Sequence, residues 1–116
     1  MEKKITMEAI RLFAAASGDA AAFHTDPEAA KAAGFKGPVA HGMYIMGIAH
    51  SMYLSQHSEQ WIKSSRMRFM KPAWADTVAR FDYDCANHEI QVTVTGENGE
   101  TLANGSFSVG GKVDDL

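Results

Sequence analysis

The chain has 116 residues, 46% of them hydrophobic and 22% charged, with a net charge of −3. That is the length of one domain, residues 1–116, and the composition of an ordinary soluble globular protein. The charge leaves no basic excess for nucleic acid, the lone Cys85 excludes an internal disulfide, and no run approaches the ~20 apolar residues of a membrane helix.

In chain order, the N-terminal MEKKITMEAI has no apolar core of signal-peptide length, so a reducing, cytoplasmic setting is expected. Thr6 can cap a helix from about Met7 to Ala16, in which Met7, Ile10, Leu12 and Phe13 recur near helical spacing. Ser17-Gly18-Asp19 breaks it. Asp26-Pro27-Glu28 reads as a second helix start, with Asp26 as the cap, and Gly34 as a left-handed stop. Gly37-Pro38 is a further break. From Gly42 to Ser55 the chain is apolar almost all round, which predicts a buried helix.

The second half reads as strands. Trp61 to Met70 places Arg66 and Arg68 on one face and Met67 and Phe69 on the other. Thr77 to Tyr83 sets Val78 and Arg80 opposite Ala79, Phe81 and Tyr83. Ile90 to Thr95 and Thr101 to Val109 flank Asn98-Gly99, which predicts a two-residue hairpin turn. The tail from Gly110 to Leu116 is expected to fray. The fold class is therefore α+β: an antiparallel sheet of about five strands wrapped around a long buried helix. So small a sheet leaves open edges, and pairing of two copies is the simplest way to cover them, so a homodimer is expected.

Chemistry-bearing residues gather between Ser17 and Met43. The sequence there is Ser17-Gly18-Asp19-Ala20-Ala21-Ala22-Phe23-His24-Thr25-Asp26, then Gly34-Phe35-Lys36-Gly37-Pro38-Val39-Ala40-His41-Gly42-Met43. It resembles the signature of the MaoC-like (R)-specific enoyl-CoA hydratases, whose fold is the hotdog. Arg68-Phe69-Met70-Lys71-Pro72, followed by Asp76-Thr77-Val78, resembles a later motif of the same family.

The resemblance implies a lyase that adds water to a trans-2-enoyl thioester, with acyl-CoA or an acyl carrier protein thioester as substrate partner and no cofactor. It implies Asp19 and His24 as the catalytic pair and the Gly42 N–H as the oxyanion donor. His41, Met43, His50 and Arg68 are secondary candidates for substrate contact. Physical chemistry is consistent with those roles. Water needs a base as it attacks, the thioester oxygen needs fixed donors, and a helix start supplies unpaired N–H groups. Read singly, Asp19 is a turn or cap residue, His24 a surface or packed histidine, and Arg66, Arg68 and Lys71 a solvated strand face or a seat for coenzyme A phosphates.

Three departures stand out. Ala21-Ala22 replaces the family's Asn-Pro, Ala75 replaces a glycine, and His50 stands where a small hydroxyl residue is common. A thioesterase-type or non-catalytic hotdog binding an acyl thioester is the alternative. Gly42 to Gln56 carries no Asp or Glu, which argues against the thioesterases that use a helix carboxylate. His50 and His57 lie seven apart, but no third ligand is near in sequence, so no metal is expected.

Overall fold

Thr6 caps the first helix by accepting a hydrogen bond from the Ala9 N–H at 3.0 Å. Helix α1 (Met7–Ser17) buries Ile10 and Ala14 and ends where Gly18 turns left-handed at φ 78°. The structure, a computed structural model, describes residues 1–111. A single helical turn, α2 (Ala22–Thr25), follows, then α3 (Pro27–Ala32). Asp26 caps α3 as expected, its carboxylate accepting from the Glu28 N–H at 3.0 Å. Gly34 sits just past α3 at φ 92°, the left-handed stop read from sequence.

Helix α4 (Gly42–Leu54) buries Ile45, Ile48, Ala49 and Tyr53. It is not buried all round. Met43, Gly47 and Ser51 form an exposed stripe, so the sheet covers one side only. His57 lies beyond the end of α4, so the His50–His57 spacing is not a helical one; the His57 ring instead stacks on Tyr53 at 4.1 Å.

Five antiparallel strands make one sheet: β1 (Glu2–Ile5), β2 (Gln60–Phe69), β3 (Thr77–Ala86), β4 (Glu89–Thr95) and β5 (Thr101–Gly111), in the order β1-β3-β4-β5-β2. Alternation decides which face each side chain takes. Ala79, Phe81, Ile90, Val92, Val94, Phe107 and Val109 point inward and join the α4 residues in one core. Arg66 and Arg68 stand opposite Ser106 and Asn104 on the outer face, while Met67 packs against the core. This curled sheet with its helix is the hotdog architecture.

Among the strands and turns, one element was not anticipated and two expectations need correction. Strand β1 was not legible, because a single residue of it, Ile5, is buried. The frayed tail begins too early: Gly110 and Gly111 pair with Trp61 and Gln60 at the end of β5, and residues 112–116 lie outside the described residues. The β4–β5 hairpin is not closed by a two-residue turn. Thr95 pairs with Thr101, and the intervening 96–100 are held by Gly99 N–H to Gly96 O at 3.1 Å and Gly96 N–H to Glu100 O at 2.8 Å. Gly99 takes φ 83°, but Asn98 is not among the residues at positive φ. The two-residue turn belongs to Asn87-His88, between Ala86 and its partner Glu89, with Asn87 at φ 59°.

Candidate active site

Asp19 follows the left-handed Gly18, and its backbone N–H donates to Ser17 Oγ at 3.2 Å. Its carboxylate is more than half exposed. His24 is buried, on the single turn α2. That turn lacks a side-chain cap and is held by the His24 N–H to Ala21 O at 3.0 Å and the Asp26 N–H to Ala22 O at 2.8 Å. Backbone bonds thus fix the segment in which Ala21-Ala22 stands in place of the family's Asn-Pro.

The ring of His24 is oriented by one strong contact. Nδ1 lies 2.6 Å from the Val39 carbonyl oxygen. A carbonyl only accepts, so Nδ1 carries the proton and Nε2 faces outward toward Asp19. Nε2 and Asp19 Oδ2 are 3.9 Å apart. That is too far for a direct hydrogen bond.

His41 ties the pair together. Its ring stacks on His24 with centroids 3.7 Å apart and planes 17° from parallel. Its Nε2–H donates to the Asp19 backbone oxygen at 2.9 Å. Phe13 on α1 also packs on the ring, with centroids 4.8 Å apart. That leaves His41 Nδ1 buried with no hydrogen-bond partner among the described residues. Asp19, His24 and His41 offer ligand atoms within 4.8 Å of one another, a trio chemically able to hold a divalent cation. His41 has already committed one nitrogen to the Asp19 backbone, so only Nδ1 is left for such a role.

Gly42 follows at the first turn of α4, and its N–H has no acceptor among the described residues. A Cβ built there would stand 3.0 Å from two carbons of the Phe69 ring. Glycine there lets the ring lie against the helix start without being displaced. Beside it opens an apolar cavity of about 350 Å³, whose lining includes Val39, Gly42, Ile45, Phe69 and Leu102.

The structure thus gathers Asp19, His24, His41 and Gly42, and sets the other candidates apart. Met43 is 66% exposed and does not line the cavity. His50 shares a hydrogen bond of 2.7 Å with Ser65 Oγ and lies edge-on to Phe107. Burial pushes its imidazole below the ordinary value. Arg68 lies on the outer face of the sheet with Arg66, beside Gln91 and Thr93. The Val39 carbonyl was missed by sequence reasoning, because a backbone contact leaves no residue-type signal. Phe69, placed by sequence only on a strand face with Met67, lies against Gly42, a contact across 27 residues that no local pattern reveals.

The fold defines a hotdog protein. The sequence matches the MaoC like domain over residues 1–105, and the chain belongs to the MaoC-like hydratase/dehydratase family. It is 30% identical over 95 residues to the peroxisomal multifunctional enzyme type 2 of Drosophila melanogaster, covering 78% of this chain and 16% of that protein. The chain therefore spans about a sixth of that relative's length. Among solved structures it is similar to the (R)-hydratase from A. caviae involved in PHA biosynthesis, with TM-score 0.82 and 19% identity, covering 97% of this chain and 92% of that one. It is also similar to the truncated HadBC (3R-hydroxyacyl-ACP dehydratase) complex from Mycobacterium tuberculosis, with TM-score 0.79 and 19% identity over 95% of this chain and 90% of that one. At those identities the structural likeness is one of fold. Among the described residues no helix is long and apolar enough to cross a membrane.

Proposed function

We propose that the protein hydrates trans-2-enoyl thioesters to (R)-3-hydroxyacyl thioesters, or runs the reverse dehydration, on coenzyme A or an acyl carrier protein. The observation that carries this reading is the 3.9 Å gap between His24 Nε2 and Asp19 Oδ2, beside the Gly42 N–H, which has no acceptor among the described residues. One water hydrogen-bonded to both groups fits such a gap. With Nδ1–H held by Val39, Nε2 is the free basic atom, and the Asp19 carboxylate orients the same water.

The water oxygen bonds to C3 of the enoyl group as His24 Nε2 takes its proton. Electron density moves through C2 to the thioester oxygen, where the Gly42 N–H and the positive end of α4 stabilise it. The proton then passes to C2. The sum is one water added, with nothing else consumed. Stereochemistry follows the (R)-hydratase and 3R-dehydratase named among the structural relatives.

The working unit in this reading is a homodimer. Strand β2 has no neighbour on its outer edge among the described residues, and ten residues of unpaired edge call for cover.

Incubation of the protein with crotonyl-CoA tests the reaction. Loss of the enoyl thioester absorbance without release of free thiol is expected. Thiol release would identify a thioesterase, and no reaction with any enoyl-CoA or enoyl carrier protein would contradict the hydratase reading.

A further inference from the structure

The dyad and the Gly42 N–H say where a thioester reacts, and the surrounding side chains say how far its chain extends. We propose that the apolar cavity beside Gly42 is the acyl site and that Phe69 sets its length, restricting the protein to short acyl chains; this rests on the hydratase reading above. The cavity lies between the start of α4 and the β2–β3 connection. It joins the candidate dyad through two of its own wall residues. Val39 holds His24 Nδ1 at 2.6 Å, and Gly42 follows the His41 that stacks on His24.

Phe69 is the wall that reaches the reacting end. It is the last residue of β2, paired with Ala103, and remains 46% exposed. Its ring nonetheless lies tightly against Gly42, so that a Cβ there would require the ring to give way slightly. An acyl chain leaving a thioester at the Gly42 N–H therefore meets the Phe69 ring first. Leu102 and Ile45 complete the apolar lining around it.

The space deeper between α4 and the sheet is filled. Tyr53 packs on Phe107 at 5.2 Å and on Tyr83 at 5.8 Å, and His50 meets Phe107 at 5.1 Å. Both tyrosine hydroxyls are anchored at 2.7 Å: Tyr53 donates to Gln60 Oε1, and Tyr83 donates to the Ala49 carbonyl. Moving either ring aside breaks a hydrogen bond inside the core, which is costly. These rings close the route between α4 and the sheet to a long chain.

The test is kcat/KM on trans-2-enoyl-CoAs from four to ten carbons, for wild type, Phe69→Ala and Phe69→Leu. A single methylene in an apolar pocket is worth about 10- to 200-fold. Wild type is expected to prefer crotonyl- over decenoyl-CoA by on the order of 100-fold, and Phe69→Ala to raise the decenoyl-to-crotonyl ratio by about tenfold or more. Phe69→Leu keeps an apolar contact should the alanine variant fail to fold, and is expected to shift the ratio in the same direction. Equal use of both chain lengths by wild type, or an unchanged ratio in a folded variant, overturns the proposal. If wild type hydrates no enoyl-CoA, the hydratase reading fails by itself. Calorimetric binding of butyryl-CoA and decanoyl-CoA then tests the cavity, with tighter binding of the shorter chain expected and equal affinities contradicting it.

Discussion

The imidazole of His50 lies between helix α4 and the sheet. Its position on the helix made it a candidate for substrate contact, yet its ring is turned to Ser65 and Phe107, and it does not line the cavity at Gly42. Burial holds its imidazole below the ordinary value of about 6.5. The native state therefore binds a proton at this site less readily than the unfolded chain. As pH falls through about 6.5 the unfolded chain protonates first, and stability is lost until the depressed native value is passed. Above about 6.5 both states are neutral here and the site contributes no pH dependence. Chemical denaturation at pH 7.5 and pH 5 is expected to show a larger loss of stability for wild type than for His50→Gln. Equal losses would place the burial effect elsewhere. Tyr83 shows the same cause acting on a phenol: burial pushes it up to about 12, so it stays protonated and keeps its hydrogen bond to Ala49 across the working range.

Elements were legible where their stabilisation is local. The Thr6 and Asp26 caps, the Gly18 and Gly34 stops, and the alternation of Ala79, Phe81 and Val92 are each written within a few residues. Strand β1 was not, since Glu2, Lys3 and Lys4 owe their conformation to pairing with Arg80, Ala79 and Val78. The single turn α2 was missed for a related reason: four residues give no period, and tertiary contact around His24 decides its geometry. At the β4–β5 hairpin, Asn98-Gly99 gave the right place and the wrong turn. A register shift between Val94 and Thr95 widens the loop to five residues, leaving Gly99 as the left-handed position. Gly99→Val is expected to destabilise by about 1 kcal/mol or more, because a β-branched residue is strained at positive φ. Asn98→Ala is expected to change the melting temperature far less. The reverse ranking would show that Asn98, and not Gly99, carries the turn.

At the scale of the whole molecule, the fold lays the second quarter of the chain against the third. Loop 37–41 is laid along loop 70–75 by the Ala40 N–H to Ala73 O at 2.8 Å and the Ala75 N–H to Pro38 O at 3.0 Å. The candidate site rests on that seam, which carries Val39 to His24 and His41 to Asp19. The Asp19–His24 pairing was legible as a motif, whereas the stacking of His41 on His24 and the closure of Phe69 over Gly42 arise from folding at long range. The exposed β2 edge belongs to this scale too: a mass of two chains is expected in sedimentation at micromolar concentration, and one chain would contradict the homodimer. The central claim is that Asp19 and His24 hold and deprotonate one water. Its most direct test is kcat on crotonyl-CoA for wild type, Asp19→Asn, His24→Ala and the double variant. The amide keeps the shape of the carboxylate, so a fall in rate with the fold intact reports on chemistry. The account predicts a loss of roughly 100- to 10,000-fold in kcat for each single change, with KM little altered and the double variant little worse. An Asp19→Asn protein working within about threefold of wild type would contradict the shared hold of Asp19 and His24 on that water.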